Sequence, residues 1–239
     1  DAMIPASLDE KGSTRLVKRL RDAEARALFS GDQTLKDALD EFSPEGMNAG
    51  VYDYGGIKIH LGLARFKSAD DAYGFYSALA AMPRDRWELG RGEMSYRSPY
   101  FAGRSGEFVF WFVSPTNPDT YADFYRRHGE AVVARLDGLA RFRAHSYHWK
   151  ILPEENRFAD SLFFVRSRRV KGIEVRDAYG ATYQAGRNRA WIYVERHESD
   201  ASAERAWIAR RAGLAREGKE CVEFIPMPGA PMESCAWRD

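Results

Sequence analysis

The sequence predicts an α+β protein: two tandem β-β-α-β-β(-α) units with mainly antiparallel sheets, preceded by a short helical segment. Three observations predict it. The run YDYGGIKIHLGLARFKSADDAYGFY from Tyr52 returns from Tyr183 as YQAGRNRAWIYVERHESDASAERAW, and the pairs Tyr52/Tyr183, Gly55/Gly186, Arg65/Arg196, Ser68/Ser199 and Ala72/Ala203 all share one constant separation. Such a repeat constrains architecture before any single element is assigned. Within each copy a glycine turn separates two strand-like runs and a helix-period run follows. Short connections between successive strands then favour antiparallel pairing. The expected layout is residues 1–45 as the helical segment, 46–144 as the first unit, 145–165 as a connector and 166–239 as the second unit, together one compact domain.

The elements follow in order. DAEARALF and TLKDALDEF supply the early helices, broken at Ser30-Gly31 and ended at Ser43-Pro44. TRLVKRLRDAEAR ahead of them reads as a solvated helix face or connector. GVYDYGGIKIHLGLARF is a hairpin whose second strand puts Ile57, Ile59, Leu61 and Leu63 on one face and Lys58, His60 and Gly62 on the other. Ser68 caps the next helix, with Asp71 three residues on as a weak capping box. Ala72, Phe75, Tyr76 and Leu79 form its buried stripe. After Pro83, GEMSYRSPYFAGRSGEFVFWFV reads as two strands, the second (Phe108 to Val113) apolar on both faces and therefore central. Asn117-Pro118-Asp119 opens a long helix. Its stripe is Tyr121, Phe124, Tyr125, His128, Val132, Leu136 and Leu139. HWKILPEENRFADS, with Pro153, is polar enough to be a connector. The second unit repeats the hairpin, capped helix (SDASAERAWIARRAGL) and strands (ECVEF, MESCAW), and the sequence ends where a second long helix would begin, so this copy is expected to be truncated.

Composition excludes several function classes. Lys+Arg 36 against Asp+Glu 35 leaves a net charge of +1, without the basic excess of a nucleic-acid binder. No apolar run approaches the roughly 18–20 residues that span a bilayer. At 44% hydrophobic residues the chain can bury a core without a metal or disulfide staple. The sequence opens at Asp1 rather than Met, as expected either where a targeting segment has been removed or where the sequence has been trimmed.

Several segments resemble a family of uncharacterised bacterial proteins, known as a domain of unknown function. The likeness is carried by Asp22-Ala23-Glu24 with Ser30-Gly31, Tyr54-Gly55-Gly56, SADDAYGFYS (Ser68 to Ser77) and ILPEENRFADS (Ile151 to Ser161). SADDAYGFYS and ILPEEN are its most specific parts, matching family patterns of the form sPEDAfGiyS and lLPeenlvpgS. Ser30 stands where the family has asparagine. The resemblance covers most of the chain and implies an extracytoplasmic, periplasmic or secreted protein. It implies no activity.

Candidate chemistry is sparse. His145 and His148, three apart, would share a helix face and could hold a metal or haem, but no Cys or carboxylate completes a zinc spacing. His128 lies on an apolar stripe and reads as a core histidine. Cys221 and Cys235 flank IPMPGAPM, a loop about which they could face each other as a disulfide in an oxidising compartment; two buried thiols are the alternative. Glycine-rich phosphate loops are missing. If helices cover one face of each sheet, the other faces present Lys58 and His60 from one unit and Arg189, Trp191 and Tyr193 from the other. Such a polar-aromatic surface suits a ligand or partner, because Trp, Tyr and Arg dominate binding hot spots. The expected function is therefore a non-catalytic exported binding or accessory protein, needing no cofactor, for an unknown protein or small ligand. The alternatives are a small-molecule or haem/metal enzyme on a ferredoxin-like scaffold, and a structural subunit of an envelope assembly.

Overall fold

The computed structural model describes residues 4–8, 14–80, 85–89, 92–97, 99–113, 122–140, 152–170, 173–195, 197–216, 221–224 and 234–237. It is α+β with antiparallel sheets. The chain divides into two compact units, Asp1–His145 and Ser146–Asp239.

The first unit runs β1 (Thr14–Arg21), α1 (Asp22–Leu28), α2 (Gln33–Phe42), β2 (Gly46–Tyr54), β3 (Ile57–Arg65), α3 (Ala69–Ala80), β4 (Asp85–Leu89), β5 (Gly92–Arg97), β6 (Tyr100–Ser105), β7 (Phe108–Val113) and α4 (Ala122–Asp137). Its seven strands lie in the order β1-β2-β3-β7-β6-β5-β4, every pairing antiparallel. Three elements depart from the sequence reading. The basic stretch at Thr14–Arg21 is a strand, not helix or connector, so the N-terminal segment belongs to this sheet. Lys18 and Arg19 on that edge strand discourage pairing with another chain. After Pro83 the chain forms four strands: β4 precedes the run read as two strands, and Pro99 and the Gly106 turn (φ 54°) divide that run into β5, β6 and β7. Leu139 lies past the end of α4 and is exposed.

Both faces of this sheet are covered. Alternation sends Leu61, Leu63, Phe101, Phe110, Phe112 and Met94 into one core with Phe124, Tyr125, Val132, Val133 and Leu136 of α4. The Tyr125 ring lies 5.6 Å from Phe101 and 5.4 Å from Phe112. On the opposite face Trp111, fully buried, is met by Phe75 of α3 at 5.1 Å and by Phe29, just past α1, at 5.3 Å. Only glycine fits beneath that indole: a Cβ at Gly62 would stand 2.2 Å from it. Ser68 caps α3 through the Asp71 N–H (3.1 Å) and donates to the Asp71 carboxylate (2.8 Å).

The second unit runs β8 (Phe163–Val170), β9 (Ile173–Ala185), β10 (Asn188–Glu195), α5 (Asp200–Arg216), β11 (Cys221–Phe224) and β12 (Ser234–Trp237), with sheet order β11-β12-β10-β9-β8. The expected connector thus ends earlier than 165, since β8 already pairs with β9 from Phe163. Among the described residues its core cluster is Val165, Val175, Ala178 and Tyr193, with Phe163 packed against them. Of the described α5 side chains only Ala203 is buried.

The two units share measurable features. Read from the β1 and β8 edges, the orders β1-β2-β3-β7-β6 and β8-β9-β10-β12-β11 correspond strand for strand. The hairpins break at Tyr54/Ile57 and at Ala185/Asn188, boundaries offset by the same interval that relates Tyr52 to Tyr183. Both turns need glycine at positive φ (Gly55 58°, Gly186 61°). Tyr52 donates its hydroxyl to the Pro5 carbonyl at 2.8 Å, and Tyr183 does the same to Pro153 at 2.8 Å.

Candidate functional site

The residues expected on open sheet faces separate into two groups. In the first unit Lys58 is exposed but neutralised: it donates to Asp53 directly across the hairpin at 2.5 Å. That hydrogen bond, more than any other influence, holds the Asp53 carboxyl below its usual range. His60 is half-buried, with Phe29 edge-on at 6.4 Å, and burial pushes its imidazole down. The face carrying His60 is therefore not open; Phe29 and α3 lie on it, with α2 packed against α3. The expectation that helices cover one face alone fails here because the segment between β1 and β2 folds back over the sheet.

In the second unit β8 runs to Val170 and β9 begins at Ile173, which leaves no room for a helical insertion between them. Arg189 and Trp191 hold the register positions of Lys58 and His60 in the repeat. Trp191 is 50% exposed. Opposite Arg189 stands neutral Gln184 in place of Asp53, and opposite Trp191 stands Thr182. The Arg189 guanidinium lies 5.2 Å over the Phe158 ring, a cation–π contact that presents it beside the indole. Among the described residues no carboxylate pairs with Arg187 or Arg189. Tyr193, by contrast, is core. It packs against Phe163 at 5.4 Å, and burial raises its phenol while Arg168 opposes the shift. Of the expected residues on this strand, Arg189 and Trp191 are exposed, with Gln184 opposite Arg189 and Phe158 beside it.

Other expected residues play different parts. His128 is buried with its ring 4.0 Å from Phe124. His145 and His148 lie outside the described residues, as do the Asn117 cap and the loop between the cysteines. Cys221 pairs in register with Trp237 and Cys235 with Phe224, so the two are not directly opposed; the pairing runs two residues off symmetry about the loop. Their side chains are outside the described set.

Two charged arrangements escaped sequence reading. Glu93 and Arg104, side chains only 4% and 5% exposed, pair at 2.5 Å across β5 and β6, and the guanidinium sits 4.8 Å from the Tyr73 ring. Their signal was faint: two ionic residues at facing positions of otherwise apolar strands. Glu195 gathers the Arg176 N–H (2.7 Å), Arg210 of α5 and His197 (3.3 Å), which anchors α5 to the sheet. In both cases the partners occupy the carboxylate, which makes these structural pairs. No group of three or more His, Cys, Asp or Glu in metal-binding array occurs among the described residues. No described helix is long and apolar enough to cross a membrane. No family model, no curated protein and no solved structure matches this chain.

Proposed function

We propose that the chain is a tandem pair of related modules in which the first is sealed by its own helices and the second recognises a partner, making this a non-catalytic, exported binding or accessory protein. The observation that carries this reading is Trp191, half-exposed at a register position whose counterpart in the first unit is covered. A large aromatic side chain held on a strand, beside a cation with no carboxylate partner among the described residues, is the composition of a binding hot spot. Strand placement also limits the entropy lost on contact, since the backbone is already fixed. The resemblance to exported bacterial proteins supports the extracytoplasmic setting.

The test is site-specific photo-crosslinking in the native host, with a photoreactive residue at position 191 and, as control, at position 60. A discrete adduct from 191 with none from 60 is expected. Absence of any adduct from 191, or equal labelling at both sites, sinks the surface. A Soret band or stoichiometric metal in protein purified from that host would favour the enzyme alternative instead.

A further inference from the structure

The first unit shows what covers this kind of strand row, and the second shows which pieces are missing. Above His60 the cover is the insertion between β1 and β2, with α1 packed on β2, Phe29 over the imidazole and α2 packed on α3. Phe29 supplies the aromatic contact to His60 and Trp111. Asp53 supplies the counter-ion for Lys58. The insertion itself is acidic, with Asp22, Glu24, Asp32, Asp37, Asp40 and Glu41 against Arg26 and Lys36. Its α2 is amphipathic, burying Leu35, Ala38, Leu39 and Phe42. At the matching row of the second unit no helical insertion stands between the first two strands, Gln184 replaces Asp53, and the aromatic ring beside Arg189 is Phe158. There Arg187 and Arg189 have no described carboxylate partner and Trp191 is open.

From this we infer that the Trp191 row docks an acidic amphipathic helix of a partner protein, which brings an aromatic side chain onto the indole and a carboxylate to Arg189. This rests on the surface reading above and names the class of its partner. Helix-in-groove recognition of this kind is anchored by apolar residues at helical spacing, and opposite charge sets its orientation and on-rate. The chain would thus receive in trans for its second unit what it provides in cis for its first.

The probe is a synthetic peptide of residues 22–43, titrated into the isotope-labelled full chain and followed by NMR. Saturable shifts are expected at the Trp191 indole N–H, at Arg189 and at the Gln184 amide. Phe29→Ala in the peptide, or Arg189→Glu in the protein, should weaken binding about tenfold, equal to about 1.4 kcal/mol, and added salt should weaken it further. Arg189 is exposed, so unchanged spectra elsewhere will verify folding. Shifts confined to the His60 and Trp111 region, no shifts at all, or an affinity indifferent to Phe29→Ala each overturn the helix assignment. So does a dimer that sedimentation shows to dissociate on Trp191→Ala, since the occupant would then be a second copy. If the crosslink at 191 forms while the peptide fails, the surface stands and only the helix falls.

Discussion

Two sheets with corresponding strand order treat the same register position in opposite ways. In the first unit His60 has Phe29 edge-on above it, and the exposed cation Lys58 is paired with Asp53. In the second, the row ends in open solvent with Trp191 and Arg189. The helices differ likewise. Nine residues of α3 are buried, whereas α5 buries only Ala203 among its described side chains and leaves Ile208 58% exposed. The lesson is that a strand's pattern does not say whether its face is sealed. What is inserted between neighbouring strands decides that, and here the insertion between β1 and β2 has no equivalent between β8 and β9.

The contrast can be broken most directly at the two tryptophans. Trp111→Ala should cost about 3–5 kcal/mol of unfolding free energy, because the indole is wholly enclosed. Trp191→Ala should stay within about 0.5 kcal/mol, as for other exposed sites. Comparable losses in urea titrations would mean that Trp191 is packed and the asymmetry false. Next comes Arg104→Met, which leaves Glu93 buried without its cation and should cost about 3 kcal/mol or more. Arg210→Met, at the more exposed pair in the second unit, should cost clearly less; the reverse ranking would contradict the sealed and open roles.

The shared framework is sharpened by smaller effects. Tyr52→Phe and Tyr183→Phe each remove a hydroxyl donated to a proline carbonyl, and each should cost about 1 kcal/mol. A loss at only one of them would show that the two modules anchor their hairpins differently. The smallest effect is a pH dependence confined to the first unit. Burial holds the folded pKa of His60 below that of the unfolded chain. The unfolded state therefore takes up its proton first as the medium is acidified. Stability is full above the unfolded value, about 6.5, and falls as pH drops below it toward the lower folded value. His60→Gln should flatten that acid-side decline in thermal melts between about pH 7 and 5; an unchanged slope would mean the imidazole is solvated.

Much of the fold was legible because it is written in local pattern. The Gly55-Gly56 turn, the Ser68 cap, the Ile59-Leu61-Leu63 alternation and the doubly apolar β7 each report a short-range preference that the tertiary structure keeps. The elements that escaped were those whose composition serves an edge. β1 carries Arg15, Lys18, Arg19 and Arg21 and lacks a regular apolar alternation, while β4 (DRWEL) alternates only through Trp87 and Leu89, too short a run to mark a strand. At the candidate site, Arg189 and Trp191 were legible as a polar-aromatic pair on one strand face. That Tyr193, two residues on, belongs to the core depends on Phe163, which arrives from β8 and which the sequence pattern places in the connector.

By itself the sequence determined the α+β class, the glycine-turn hairpins, the helix cap and the constant offset between related positions, since all of these depend on residues near each other in the chain or on their spacing along it. Tertiary structure alone decided which faces are closed. Burial of His60 and exposure of Trp191 depend on where Phe29 and the acidic helices fold back, and long-range packing of that kind leaves no periodic trace in the strand it covers.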